Sequence, residues 1–571
     1  MNYQNKENIR GAEAVILSLL NENVEHVFGY VGGAIMPVYD ALYDYQDVLI
    51  HYLTRHEQGA IHAAQSYARV SGKVGVCFAT SGPGATNLVT GLADAQLDST
   101  PLVCITGQVD SRMLGTDAFQ ETDVIGVTMP VTKWSSQVTR AEEIPEAIAK
   151  AFYIAQSGRP GPVLIDITKD AQFGLFNFQY KACKRIRSYF PHPKLNIGLL
   201  DEALKMIDAS QKPFLLIGHG VTISKAEKEV KAFVEKTKIP VASTLLGLSA
   251  FPSHHPLYMG MLGMHGNYAP NILTNECDLL IAIGMRFDDR VTGDVERYAK
   301  QAKIIHIDID SAELNKNVFA DIAIPADAKE ALQYVLPKLK QKHTEDWLNQ
   351  FAQLRVKEQT LIDAQLYPGK GKVSMGEVIR VVNEQSQTKP IVVTDVGQHQ
   401  MMSGRYFEFN EGRSFVTSGG LGTMGFGLPA SIGAKIASPE KGVVAVLGDG
   451  GFQMTIQELG TIFQYKIPVK ILILNNNFLG MVRQWQQLFF EKRYSFTEMH
   501  NPDFLTIAKG YNIQSNKVFE RSKLESAVKE MLASKGPYLL EVDVEMEENV
   551  FPMVPAGASV SEILLGNEEL N

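Results

Sequence analysis

Val443-Val444-Ala445-Val446-Leu447-Gly448-Asp449-Gly450-Gly451 opens a stretch that closes, after Val469-Lys470-Ile471-Leu472-Ile473-Leu474, on Asn475-Asn476-Asn477. Both apolar runs are short, β-branched and nearly continuous, as strands buried on both faces of a parallel sheet are. Met454 to Tyr465, between them, reads as the crossover helix of a βαβ unit. An acid then stands at the carboxyl end of one strand and an amide at the carboxyl end of the next. That edge is where open α/β sheets bind ligands. A carboxylate beside an amide oxygen suits a hard cation such as Mg²⁺, which takes oxygen ligands and shares them with substrate phosphates. Gly448, Gly450 and Gly451 let backbone N–H groups come close to such phosphates, and the helix start favours negative charge. A lone Gly-Asp-Gly is more often an ordinary turn; the Asn-Asn that follows 24 residues later gives the pattern its weight.

That paired spacing resembles the signature of thiamine diphosphate (ThDP) enzymes. The resemblance implies Mg²⁺ held by Asp449, Asn476 and the backbone carbonyl of Phe478. ThDP chemistry also needs a carboxylic acid at N1′ of the aminopyrimidine, which favours the tautomer able to deprotonate the thiazolium C2. In Arg55-His56-Glu57-Gln58-Gly59-Ala60, Glu57 is followed by small residues as that acid is in ThDP enzymes. Read alone, Glu57 is a first-turn acid favoured by the helix dipole.

The 571 residues exceed what one core supports and predict about three domains. A net charge of −9, with no basic stripe, gives no electrostatic reason to expect nucleic acid as a partner. No apolar run approaches the roughly 20 residues of a membrane span. The polar start, Met1 to Arg10, lacks the core of a signal peptide. The four cysteines are scattered, with no CxxC, so a reducing, cytoplasmic location is expected.

Residues 1–180 read as one α/β domain, with strands at Val27–Tyr30, Val74–Ala79 and Leu102–Thr106 and helices at Ala12–Asn21 and Ala34–Tyr43. Ser81 to Asn87 forms a Gly-rich loop opening a helix; it lacks the Lys-Ser/Thr of a Walker A motif, which excludes an NTPase. Periodicity lapses from Phe176 to Leu195. Residues 195–345 alternate helix and strand again, with Gly218-His219-Gly220 and Asp308 at strand ends, a weak dinucleotide signal on pattern alone. Leu336 to Pro368 reads as an exposed helix plus linker. In 370–571, Asp395-Val396-Gly397-Gln398-His399 follows strand Ile391–Thr394, and Ser418 to Gly427 is glycine-dense, as where backbone must pass close to a ligand. Met481 and Trp485 lie four apart and share one helix face. From about Glu547 the chain is acidic and irregular, and a mobile segment folding over the cofactor is expected.

Gly32-Gly33-Ala34, Arg55 to Ala60, Ser81 to Asn87, Phe119-Gln120-Glu121, Lys133-Trp134, Arg159 to Val163 and the Gly448–Asn476 stretch together resemble the large, catalytic subunit of the acetohydroxyacid (acetolactate) synthases, over nearly the full chain. Val31 departs from the family, which has Pro before the two glycines. The resemblance implies a ThDP-enzyme fold of three doubly wound parallel-sheet α/β domains: pyrimidine-binding, central FAD-binding and diphosphate-binding. It implies decarboxylation of pyruvate and condensation of the remaining two-carbon unit with a second 2-ketoacid. The products would be 2-acetolactate from pyruvate and 2-aceto-2-hydroxybutyrate from 2-ketobutyrate, at the entry to valine, leucine and isoleucine biosynthesis.

By the same resemblance, Gly397, Gln398 and His399 meet the diphosphate, with Gly422, Gly480 and Met481 nearby. Met424 wedges the cofactor into its bent form. Gly33 and Gln120 position substrate, Phe119 and Lys169 line its access path, and Met481 and Trp485 face the acceptor. Arg159, Gly218, Gly220, His265, Arg286, Asp308 and Asp327 line a structural FAD. An ion pair to Asp288 or Asp289 competes for Arg286. A homodimer or homotetramer is implied, with Glu57 serving the neighbouring subunit's cofactor, and a small regulatory subunit is a further partner. A pyruvate oxidase-like ThDP/FAD flavoenzyme is the alternative; the Arg286–Gly293 segment and Trp485 argue against it.

Overall fold

The computed structural model describes residues 3–566 and lays three six-stranded sheets along the chain. The first runs, in spatial order, Ile50–Leu53, His26–Gly29, Gly75–Ala79, Leu102–Gln108, Pro162–Thr168, Trp134–Val138. The second runs Tyr258–Met261, Val241–Ser243, Pro213–Ile217, Leu279–Ile283, Lys303–Asp308, Ile322–Pro325. The third runs Phe415–Val416, Ile391–Thr394, Val443–Gly448, Lys470–Asn475, Tyr538–Asp543, Gln514–Val518. Every neighbouring pair is parallel. The central strands are buried end to end, which is why they read as apolar runs rather than alternations.

Strand order places the ligand edge of each sheet. In the central sheet it reverses between Pro213–Ile217 and Leu279–Ile283, the doubly wound arrangement. In the first sheet it reverses between His26–Gly29 and Gly75–Ala79, and in the third between Ile391–Thr394 and Val443–Gly448. The carboxyl ends of the strands at such a reversal are where open α/β sheets place their ligands.

Helix Glu57–Ser71 joins the outer domains. His56, extended, caps it by accepting the Gln58 N–H at 3.1 Å, and Gly72 ends it at φ +72°. Its face of Ala60, Ala63, Ala64 and Ala68 is fully buried. Helix Gly427–Ala437 lies against it so closely that a Cβ on Gly433 would sit 1.8 Å from the Ala63 carbonyl oxygen.

The structure corrects several local expectations. The crossover helix does not run from Met454. It begins at Asp449, breaks at Thr455 and resumes over Leu459–Tyr465 after a 3₁₀ turn. Thr455 leaves helical geometry and its hydroxyl donates to Gly425 O at 2.9 Å. Asn5–Arg10 is a strand, paired antiparallel with Leu175–Gln179; its exposed, polar pattern gave no strand signal. The segment after Leu336 contains helix Glu345–Leu366, which is not merely exposed: Trp347, Phe351, Glu358 and Gln365 are buried. The chain beyond Glu547 is irregular but packed, with Val550, Phe551, Met553, Val554 and Val560 buried. Val554 N–H donates to Met264 O and Gln484 Nε2 to Val550 O, strapping the central and last domains together. Residues 567–571 of that tail lie outside the described residues.

Candidate active site

At the strand reversal of the third sheet, two loops face each other. Gly397 stands at φ +149°, and the imidazole of His399 folds back over it and over Gly448: a Cβ on either glycine would meet the ring within 3.0 Å. His399 is buried, burial pushes it down to about 4, and its Nε2 has no hydrogen-bond partner among the described residues. Asp449, the first residue of its helix, is buried, which pushes its carboxyl up to about 6. Its Oδ2 accepts from Asn501 Nδ2 at 2.7 Å. Asn476 directly follows the neighbouring strand; its Nδ2 donates to Gln398 Oε1 at 3.3 Å, and its Oδ1 accepts the Phe478 N–H. Gln398 donates to Gln484 Oε1 and Glu548 O, and Gly480 lies so near that a Cβ there would be 2.1 Å from Gln398 Oε1. Gly450 is enclosed by Leu479, Met499 and the Met424 methyl, so Met424 faces the Gly-Asp-Gly turn. Gly451 abuts the Asp395 carboxylate.

This is a donor set a magnesium diphosphate fits. One carboxylate, one amide oxygen and a backbone carbonyl are hard oxygen ligands, and the cation offsets the cost of burying Asp449 ionised. The unpartnered His399 nitrogen and the open glycine turn at a helix start offer polar contacts to phosphate oxygens. Among the described residues no three His, Cys, Asp or Glu side chains cluster as a protein-only metal cage. A site completed by amide, carbonyl and phosphate oxygens does not call for one.

On the first sheet's carboxyl edge, the Glu57 carboxylate is buried and accepts from Asn87 Nδ2 at 2.9 Å. Gly33 has open space around it. Gln120 holds φ +60° with its backbone against Gly82, a strained position of the kind that gathers at functional sites. Phe119 is 89% exposed, and Lys169 starts the helix after strand Pro162–Thr168. In the last domain, Met481 packs on the core while Trp485, one turn on, is 38% exposed with the Arg290 guanidinium 6.0 Å from its ring. Gly422 takes φ +71° in the glycine-rich loop.

The central sheet gathers Gly218, Gly220, His265, Arg286, Asp308 and Asp327 after its strands, at one edge. Gly218 and Gly220 pack directly on the Gly284 backbone across the reversal. Burial pushes Asp308 up to about 7; it ends strand Lys303–Asp308, and its carboxylate accepts the Asp310 N–H at 2.8 Å. His265 Nδ1 is buried without a hydrogen-bond partner among the described residues. Three residues are already engaged. Arg286 pairs with Asp288 at 3.3 Å, Asp327 caps helix Ala328–Val335, and Arg159 bridges to Asp310 and Glu313.

Several residues at the site carried no sequence signal. Asn501 donates to Asp449, Asn475 and Asn477 at once. Asp395 accepts the N–H groups of Gly425 and Gly427. Glu458 accepts the Arg55 N–H across the domain boundary, and burial pushes it up to about 7.

Comparison with known proteins agrees with this geometry domain by domain. The chain matches the family models described as thiamine pyrophosphate enzyme N-terminal TPP binding domain over residues 9–127, central domain over 200–335 and C-terminal TPP binding domain over 395–542. It is 48% identical to the acetolactate synthase isozyme 2 large subunit of Escherichia coli (strain K12), covering 97% of this chain and 99% of that one. It is 47% identical to a probable acetolactate synthase large subunit of Methanocaldococcus jannaschii, over 97% of this chain and 95% of the relative. It is 46% identical to the acetolactate synthase large subunit of Corynebacterium glutamicum, over 98% and 90%. With all three thiamine pyrophosphate enzyme domains matched and relatives of this kind along its whole length, the chain belongs to the acetolactate synthase large-subunit family of thiamine pyrophosphate enzymes.

Proposed function

We propose that this chain condenses two 2-ketoacids with loss of carbon dioxide, giving 2-acetolactate from pyruvate and 2-aceto-2-hydroxybutyrate when 2-ketobutyrate is the acceptor. The observation that carries the reading is the cradle itself: His399 over Gly448, beside Asp449 and Asn476, on the edge where the sheet reverses. When bound, thiamine diphosphate supplies a thiazolium carbon that adds to the pyruvate carbonyl and accepts the electrons released as carbon dioxide leaves. The protein's part is to bind, orient and move protons. Asp449, Asn476 and the Phe478 carbonyl hold Mg²⁺. His399, Gln398, Gly397 and the Gly448–Gly451 turn take the diphosphate. Met424, which faces the Gly-Asp-Gly turn, would hold the cofactor together with Gly422, Gly480 and Met481. Glu57 holds a proton at N1′ of the aminopyrimidine. Gly33 leaves room for substrate and Gln120 orients it. Phe119 and Lys169 form an apolar and cationic rim suited to an anionic ketoacid, and Trp485 walls the acceptor side.

FAD would lie along the central sheet's edge, held by Gly218, Gly220, His265, Arg286, Asp308, Asp327 and Arg159, as a structural rather than a cycling group. The exposed apolar residues Tyr30, Val31, Met113, Phe119 and Met129 of the first domain support burial against a second copy. The assembly is a homodimer or a homotetramer, with Glu57 serving the neighbouring cofactor. The relatives are named large subunits, which favours a small regulatory subunit as a partner. Among the described residues no helix is long and apolar enough to cross a membrane, and we place the protein in the cytoplasm. Purified protein with ThDP, Mg²⁺ and FAD, fed pyruvate with and without 2-ketobutyrate, should yield both products. Acetate or acetyl phosphate formed with flavin reduction, in place of the acetohydroxy acids, would overturn the reading.

A further inference from the structure

We propose that Arg69, Asp94 and Asp98 of the first domain are positioning residues for the loop 417–426, which carries Gly422 and Met424 to the cofactor. The inference rests on the ThDP reading above. The loop is irregular and rich in glycine, so it has little means of fixing its own path. The first domain fixes it instead. Asp94 and Asp98 lie four apart at the end of helix Val89–Leu97 and face the loop together. Asp98 accepts the Gly419 N–H at 3.0 Å with one oxygen and the Gly420 N–H at 2.7 Å with the other. Asp94 Oδ1 accepts from the Ser418 hydroxyl and, at 2.9 Å, from the Thr423 hydroxyl. Arg69 pairs with Asp98 and donates to the Thr417 carbonyl. Ser418 Oγ in turn accepts the Thr423 N–H at 2.8 Å, one residue before Met424.

The clamp is built, not incidental. Asp94 and Asp98 are at most 1% exposed, and Arg69 is 6% exposed. Asp98 is paired with Arg69, and both its oxygens accept loop N–H groups; Asp94 makes no ion pair among the described residues, burial pushes its carboxyl up to about 6, and the two loop hydroxyls on its Oδ1 are its hydrogen-bond donors among those residues. At its far end the loop is pinned by Asp395, which accepts the Gly425 and Gly427 N–H groups. Between the two pins only the turn with Gly422 and Met424 is left to meet a ligand. A loop ordered in advance spares the cofactor the entropy of ordering it.

The test is the dissociation constant of ThDP with Mg²⁺, by calorimetry on the full-length protein, for Asp94→Asn, Ser418→Ala, Thr423→Val and the restoring variant Ser418→Thr. Asp94→Asn keeps an oxygen for both hydroxyls and loses only the charge, so it should weaken binding severalfold, the difference between hydrogen bonds to a charged and to a neutral acceptor. Ser418→Ala and Thr423→Val should weaken it severalfold, with Ser418→Thr close to wild type. The pyruvate KM should stay within about twofold and kcat at saturating ThDP within about threefold, because the clamp touches neither substrate nor acid. The two loop variants leave the first domain untouched, so they decide the matter even if Asp94→Asn fails to fold. Dissociation constants within twofold of wild type in both loop variants overturn the proposal while leaving the functional reading intact. A wild type that takes up no ThDP sinks both.

Discussion

Gly433→Ala adds one methyl group where the two outer domains touch, and the structure says what it should cost. The new Cβ would stand 1.8 Å from the Ala63 carbonyl oxygen, with the Ala63 carbonyl carbon at 2.7 Å and its Cα at 3.0 Å. All three are backbone, so no rotamer change relieves the clash. Helices Gly427–Ala437 and Glu57–Ser71 must part by about 1.5 Å, overpacking that costs up to about 3 kcal/mol or more. Alanine's better helix propensity returns about 1 kcal/mol. The net loss is about 2 kcal/mol, which for a domain of this size lowers Tm by about 4–8 °C. Function should suffer further, because Glu57 starts one helix and the loop bearing Met424 feeds the other. A displacement near 1 Å at a reacting centre can cost about a hundredfold in rate. The assays are calorimetric unfolding and kcat at a temperature where the variant is fully folded. Gly510→Ala, also in a helix but with nothing within 4 Å of its new Cβ, is the control and should be neutral or slightly stabilising. Gly433→Ala melting within 1 °C of that control, at full activity, would refute the reasoning.

Glu57→Gln keeps the size of a buried side chain and an oxygen for Asn87, so it should fold normally yet lose about 10²- to 10⁴-fold in kcat; undiminished turnover would discredit the proposed role. Glu458 offers a pH test. Burial holds its carboxyl at about 7 against an ordinary 4.5, so the unfolded chain releases that proton first and stability falls as pH climbs from about 4.5 to 7, then levels. Glu458→Gln removes a loss of up to about 3 kcal/mol, so its Tm advantage over wild type should grow between pH 5 and pH 8; a difference independent of pH would show the carboxyl to be ionised throughout. Trp485→Leu should cut the preference for 2-ketobutyrate over pyruvate about tenfold, the worth of one methylene in an apolar pocket, read as a product ratio in mixed substrate; an unchanged ratio would move acceptor selection elsewhere.

What the sequence made legible follows from burial. Val443–Leu447 and Ile471–Leu474 are strands with no face in water, so they read as unbroken apolar runs, and the polar residues that end them mark the ligand edge. The helix start at Asp449 was hidden because Gly450 and Gly451 suppress helix propensity, although the tight approach of Gly451 to Asp395 requires one of them. Asn5–Arg10 was hidden because only Ile9 is buried in it. Asn501, Asp395 and the Asp94–Asp98 pair were illegible for another reason. Asp94 lies 324 residues from Ser418, and a carboxylate in a helix carries no mark of which distant donor it will meet. The central domain stood between: its glycines and Asp308 gave a weak dinucleotide pattern, and the sheet reversal turned it into a place.

The first and third sheets have the same strand order, and the proposed function puts complementary halves of one chemistry at their reversals. On that reading Glu57 supplies the acid from the first sheet's edge, and His399, Gly448 and Asp449 supply the phosphate cradle from the third's. Neither domain is a site alone; with Glu57 proposed to serve the neighbouring cofactor, the packing of the two domains within a chain must fix where each chain presents its acid and its cradle. The residues between them meet that demand with backbone contacts. Gly433 lets two helices touch, Glu458 accepts the Arg55 N–H just ahead of Glu57, and Asp98 grips two glycine N–H groups of the Met424 loop. Each is a contact to main chain, which has no rotamer to yield. Substitutions on the Glu57 side of this seam, at Gly433 or Glu458, should therefore alter rate, while those in the clamp on the Met424 loop should alter cofactor affinity, although none of these side chains is itself a ligand.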